Sequence, residues 1–203
     1  NSFESMKGTV GNRPILGPNK KRYIMKKNIL IFGLIMGGII SLNMVYMVNQ
    51  CYTREDFSGS DVVGYAAMIA IFSFIFIAIR NYRNNYNEGV ISFGAAFKMG
   101  ALIALIAATM YVVTWLFYYY LFVPDFLDKY IPHVLKEATA SGATQVELDQ
   151  KIAEMEKFKG MYKNPFFVIL VTYSEVFPVG LIVALISALI LKKKANNQTL
   201  AMN

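Results

Sequence analysis

Four long apolar runs constrain this chain more than any other feature: Asn28–Val48, Val62–Ile79, Met99–Val123 and Phe166–Leu191. Each holds about 18–26 residues, the length a helix needs to cross ~30 Å of hydrocarbon at about 1.5 Å per residue. With 56% of residues hydrophobic and 16% charged, the charge is confined almost entirely to the connecting segments. The pattern predicts an all-α integral membrane protein with four transmembrane helices, about 28–48, 62–79, 99–123 and 166–191, in contact with the lipid bilayer.

The loop charges give the bundle a direction. Thirteen of the 20 Lys and Arg residues fall on the side that carries both termini and the Arg80–Lys98 loop. The other side holds seven basic residues against ten acidic ones. That asymmetry follows the positive-inside rule, so both termini are expected to be cytoplasmic. The net charge of +7 is therefore read as a topology signal, and no nucleic-acid partner is expected. Residues 124–165 become an extracytoplasmic hairpin. Within it Phe126, Tyr130 and Val134 share a helix face that Pro132 interrupts, and Ser141-Gly142 marks a turn. Thr144-x-x-Glu147 is a capping box opening a second helix, with Leu148, Ile152, Met155, Phe158 and Tyr162 at helical spacing.

Residues 1–24 mix Gly, Pro, Asn and Lys without periodicity and are expected to be a disordered cytoplasmic tail or a non-native extension, with Met25-Lys26-Lys27 a plausible start. Residues 25–194 form the membrane domain and 195–203 a cytoplasmic tail. The single cysteine, Cys51, excludes an internal disulfide framework. The first run is longer than a signal-peptide core and no small-residue cleavage site precedes Cys51, so a retained first helix is expected.

Small residues recur every fourth position as Gly33 and Gly37, as Gly100, Ala104 and Ala108, and as Gly180, Ala184 and Ala188. Such spacing lines one helix face and lets backbones approach closely, either within the bundle or against a second copy or another membrane protein. Aromatic residues from Tyr111 to Phe122 gather at the outer end of the third run. An interfacial belt is the expected role and a substrate-binding aromatic cage the alternative.

Glu175 is the one acidic residue inside an apolar run, where a charge costs roughly 2.5–3.5 kcal/mol on insertion scales and so demands a reason. Counted along the helices, Glu175, Asn43, Thr114 and Tyr65 reach a similar height, about 21–24 Å from the cytoplasmic end. They form a candidate polar layer. Pro178 is a candidate helix kink that frees the Ser174 carbonyl one turn earlier. Two readings follow. A protonated Glu175 hydrogen-bonded to Asn43, Thr114 or a tyrosine locks the bundle, or Glu175 is a proton or cation site. His133, with Glu137 and Asp128 near it, lacks a complete ligand set, so no metal and no cofactor is expected. Hydrolase triads, phosphate-cradling glycine loops, HExxH and haem-type histidine pairs are all missing from the sequence, so no enzymatic activity is expected.

Ile91-Ser92-Phe93-Gly94-Ala95-Ala96-Phe97-Lys98, Pro124-Asp125-Phe126 and Glu175-Val176-Phe177-Pro178-Val179-Gly180, with the lysine-ended last run, resemble the domain-of-unknown-function 4199 family, small membrane proteins mainly of Bacteroidetes. The resemblance runs from Met25 to Lys194. It implies a four-helix protein of the bacterial inner membrane and brings no activity with it. Two functions are therefore expected in turn: a non-enzymatic structural, interaction or assembly component whose hairpin is the contact surface, or a small proton- or cation-coupled transporter or channel centred on Glu175.

Overall fold

The computed structural model describes residues 9–10, 13–14, 16–54, 57 and 60–194. Two short strands, β1 (Thr9–Val10) and β2 (Arg13–Pro14), pair antiparallel. Among the described residues the helices that follow are α1 (Pro18–Arg54), α2 (Ser60–Phe72), α3 (Phe74–Tyr86), α4 (Phe93–Phe122), α5 (Phe126–Ala140), α6 (Gln145–Tyr162) and α7 (Pro165–Leu191). Among the described residues, four helical segments are long and apolar enough to cross a membrane: α1, α2 with α3 over Val62–Tyr86, α4 and α7. Their outward-facing side chains, Leu42, Leu170, Ile182 and Ile190 among them, are exposed apolar surface of the kind lipid covers.

The expectation of a structureless stretch through residue 24 needs correction, because α1 already begins at Pro18. Proline at the first helical position has its φ preset and no N–H to leave unsatisfied. Lys21 then ties the new turn down through an ion pair with Glu88 at 2.6 Å, and its carbonyl accepts the Tyr82 hydroxyl at 3.2 Å. Residues 1–8 and the expected tail 195–203 lie outside the described residues. The second span passes from α2 to α3 through Ser73, which keeps helical dihedrals (φ −60°, ψ −20°) and donates its hydroxyl to the Ala70 carbonyl at 2.6 Å.

Helix α4 is the centre of the bundle, packing most extensively against α1 and α7. Its inner face is built from small residues, with Ala104, Ala107 and Ala108 fully buried. Glycines meet larger or equally small partners across both contacts. A Cβ added at Gly33 would stand 2.8 Å from Ile106, and one at Gly37 2.6 Å from the Met110 sulfur. Across α4 and α7, a Cβ added at Gly100 would stand 2.8 Å from the Ala184 Cβ, and one at Gly180 2.7 Å from the Ala104 Cβ. Since lipid is as apolar as the side chains, such close backbone approach supplies association through dispersion. Ala188 is fully buried in the same core, with Met36, Phe72, Ile75 and Ile103.

At the end of the bundle that carries the chain termini, the α3–α4 loop clamps the last turn of α7. Ile91 and Lys193 exchange backbone hydrogen bonds at 3.0 and 2.8 Å, and the Arg83 guanidinium donates to the Leu191 carbonyl at 3.1 Å. Glu88 (φ 56°) and Gly89 (φ 77°) turn the loop through left-handed backbone conformations.

At the opposite end α5 and α6 form the antiparallel hairpin. Gly142 (φ 86°) follows the last residue of the α5 cap, where a left-handed conformation ends the helix. Thr144 and Glu147 make both hydrogen bonds of the capping box that opens α6. Pro132 does not interrupt α5 as expected, because the helix runs through it to Ala140. Pro132 is exposed, so its lost backbone hydrogen bond leaves a carbonyl that water can reach. Leu127 and Ile131 are the buried side chains of α5, and Phe126, Tyr130 and Leu135 pack partly buried beside them.

Candidate functional site

The hairpin does not sit free above the spans. Leu127, Ile131 and Tyr162 join Met44, Trp115, Tyr119 and Val168 in a second buried cluster. The Trp115 indole N–H donates to the Tyr162 hydroxyl at 2.8 Å, and the Tyr120 hydroxyl donates to the Tyr162 carbonyl at 3.1 Å. Burial pushes the Tyr162 phenol up to about 12, while hydrogen bonds with Trp115 and Thr172 pull the other way. The aromatic run expected as an interfacial belt is therefore divided. Trp115 and Tyr119, each 8% exposed, are core beneath the hairpin, while Phe117 at 61% and Phe122 at 68% keep to the outside. The reason is tertiary: α5 and α6 fold back over one face of α4 and leave the other bare.

Two further contacts fasten the hairpin's entry. The Tyr52 hydroxyl at the end of α1 donates to Asp125 at 2.5 Å, and the Lys129 ammonium stands 3.9 Å from the centre of the Tyr52 ring. The hydrogen bond from Tyr52 holds the Asp125 carboxyl below its usual range. Lys159 of α6 pairs with Asp128 of α5.

Between this fastened cap and the hairpin-end halves of the spans lies a partly enclosed cavity of about 360 Å³. From α1 it is lined by Ile40, Asn43, Met44, Met47, Val48 and Cys51, a stripe at three- and four-residue spacing. Gly64, Tyr65 and Met68 come from α2, Tyr111 and Trp115 from α4, and Val171, Thr172 and Glu175 from α7. Phe57, Phe126, Leu127, Tyr130, Phe158 and Tyr162 close it on the hairpin side. Glu175 is exposed, and its carboxyl lies within electrostatic reach of the Tyr111 and Tyr162 hydroxyls. Among the described lining residues it is the one charged side chain.

Three of the four polar-layer residues, Glu175, Asn43 and Tyr65, thus meet at one cavity. Thr114 does not line it; its place on the α4 wall is taken by Tyr111 and Trp115. Counting residues gives height but not the direction a side chain points. The i, i+4 pair Tyr111–Trp115, on a face continuous with buried Ala104 and Ala108, is the signal that identifies the α4 face. Thr172, one turn before Glu175, is legible in the same way. Tyr162 is not, because it reaches the cavity only through the fold of the hairpin. Pro178 lies inside α7, which is continuous from Pro165 to Leu191.

His133 pairs with Glu137 at 3.4 Å and packs on the Phe57 ring. Among the described residues no group of three or more His, Cys, Asp or Glu is arranged to hold a metal ion.

Fold and site together define a multi-pass helical membrane protein of four spans, with a helical hairpin folded over a cavity that holds an intramembrane carboxylate. A family model described as a protein of unknown function, DUF4199, matches residues 31–193, and the chain belongs to that family. No curated protein and no solved structure matches the chain.

Proposed function

We propose that this protein is a small proton- or cation-coupled transporter of the bacterial inner membrane, with Glu175 as its working carboxylate. One observation carries the reading. Glu175 lines an interhelical cavity together with Asn43 and Tyr65, and an ionisable residue within a membrane span is by default a functional one. An ionisable group that is expensive to keep in hydrocarbon and is placed against open volume is suited to binding and releasing a charge. The cavity, at about 360 Å³, falls within the ordinary range of small-molecule sites, and the reading requires no catalytic chemistry on the bound species. The loop charges support an orientation with both termini cytoplasmic and the hairpin outside.

The assembly role expected from the small-residue faces and the hairpin finds less to rest on. Gly33, Gly37, Gly100 and Gly180 are filled from within the chain, and Leu127, Ile131 and Tyr162 of the hairpin are buried against the ends of its own spans, although Val146 and Ile152 stay exposed. The direct test is proteoliposome flux under a proton gradient or a membrane potential, comparing the native chain with Glu175→Gln. The variant is expected to lose coupled flux while inserting normally. Equal flux from both would overturn the role of Glu175.

A further inference from the structure

The wall of the cavity points to a ligand class, an inference that rests on the cavity being the working site. Eight of its twenty lining residues are aromatic and the one charge among them is acidic. A bare metal cation is poorly matched to that wall. Hard cations require about six or more oxygen ligands, and the lining supplies one carboxylate with scattered amide, hydroxyl and phenol oxygens. An anion meets no basic side chain among the described lining residues, and a neutral apolar molecule makes no use of the acidic one. A weakly hydrated organic cation uses both parts of the wall. Ring faces attract such a cation electrostatically within about 6 Å, and the carboxylate balances its charge. The rings also form one connected wall: Trp115 packs on Phe126 at 5.5 Å, and Phe126 on Tyr130 at 5.8 Å. We propose that the cavity binds a small alkylated ammonium cation, its charge against Glu175 and its alkyl groups against Tyr65, Tyr111, Trp115 and Phe126.

Trp115 is the single tryptophan of the chain and stands in the cavity wall, so its emission responds to a ligand that reaches the indole. The full chain, purified in a non-ionic detergent, is titrated with choline, with tetraethylammonium, and with the neutral carbon isostere of choline. Equilibrium dialysis of labelled choline covers a binding pose that leaves the indole undisturbed. Saturable binding of the cations is expected, with the neutral isostere weaker by about tenfold or more. Glu175→Gln is expected to erase most of that difference.

The comparison between cation and isostere is made on the native chain, so it stands even where the variant folds poorly. Short-chain phosphatidylcholine and phosphatidylglycerol distinguish a lipid headgroup from a free amine. Preference for the choline lipid over both the glycerol lipid and free choline assigns the ammonium to a headgroup, and tighter binding of free choline assigns it to a soluble ligand. Equal affinity for choline and its isostere, or no saturable binding of any ammonium, would overturn the proposal. Ammonium binding without flux would remove the transport reading and leave the ligand class standing. Glu175-dependent flux without ammonium binding would do the reverse.

Discussion

At Gly180 a single hydrogen atom decides how α4 and α7 pack. The position where a methyl group would begin lies 2.7 Å from the Ala104 Cβ, which belongs to a short side chain with no freedom to swing away. Gly180→Ala therefore forces the two backbones apart and is expected to destabilise the bundle by about 1–3 kcal/mol, the usual cost of overpacking. Gly38 is the control, because nothing lies within 4 Å of its added Cβ. Gly38→Ala should be neutral or stabilising by up to about 1 kcal/mol through helix propensity. Unfolding of both variants in mixed detergent micelles checks the contrast, and equal stability loss would contradict the packing account. The four-residue spacing of Gly180, Ala184 and Ala188 is visible in the sequence, but the identity of the partner is not. A small residue records that something comes close, and only the third dimension says that it is Ala104.

At the scale of elements, the docked hairpin depends on one buried polar contact. Tyr162→Phe keeps the ring but removes the acceptor of the Trp115 N–H, leaving a buried donor unpaired at a cost of about 1–3 kcal/mol. A shift of Trp115 emission and earlier thermal loss of the docked state should follow. Alkali should act on the same contact. The Tyr162 phenol is raised from 10.0 to about 12 by burial, so the docked state holds its proton more tightly than the undocked one. The stabilisation is full below pH about 10 and is lost as pH rises toward about 12. Fluorescence titration should show alkaline undocking in the native chain and a smaller loss across that window in Tyr162→Phe, where the Tyr119 and Tyr120 phenols still titrate. The hairpin's helices are plain in the sequence because Thr144 and Glu147 form a local signal. Where the hairpin lands is not, since Trp115 and Phe117 are equally aromatic and only docking buries the first and leaves the second bare. Pro132 misleads for a related reason: a proline costs a helix little where water reaches the carbonyl that it leaves without a partner.

For the whole molecule, the two ends are held by different means. The end bearing the termini is clamped by backbone pairing of Ile91 with Lys193 and by Arg83 on the Leu191 carbonyl. Arg83→Leu removes a charge-assisted hydrogen bond of about 1.5–3 kcal/mol. Amide exchange at Ile91 and Lys193 is expected to quicken while Trp115 emission stays constant. A change at both ends would mean that they are not independent. Between the ends, Met36, Phe72, Ile75, Ile103 and Val176 are fully buried in side-chain packing, whereas the cavity begins at Ile40, Met68 and Tyr111. That division governs where a membrane potential is felt. A cavity filled with water would conduct and sustain little field, and the voltage drop would then concentrate across the packed half of the bundle. An elementary charge leaving Glu175 toward the terminal end would traverse most of that drop, worth about 2.3 kcal/mol per 100 mV. On the transport reading proposed above, the packed half of the bundle would be the molecule's insulator, and its thickness would set how steeply charge movement by way of Glu175 responds to voltage.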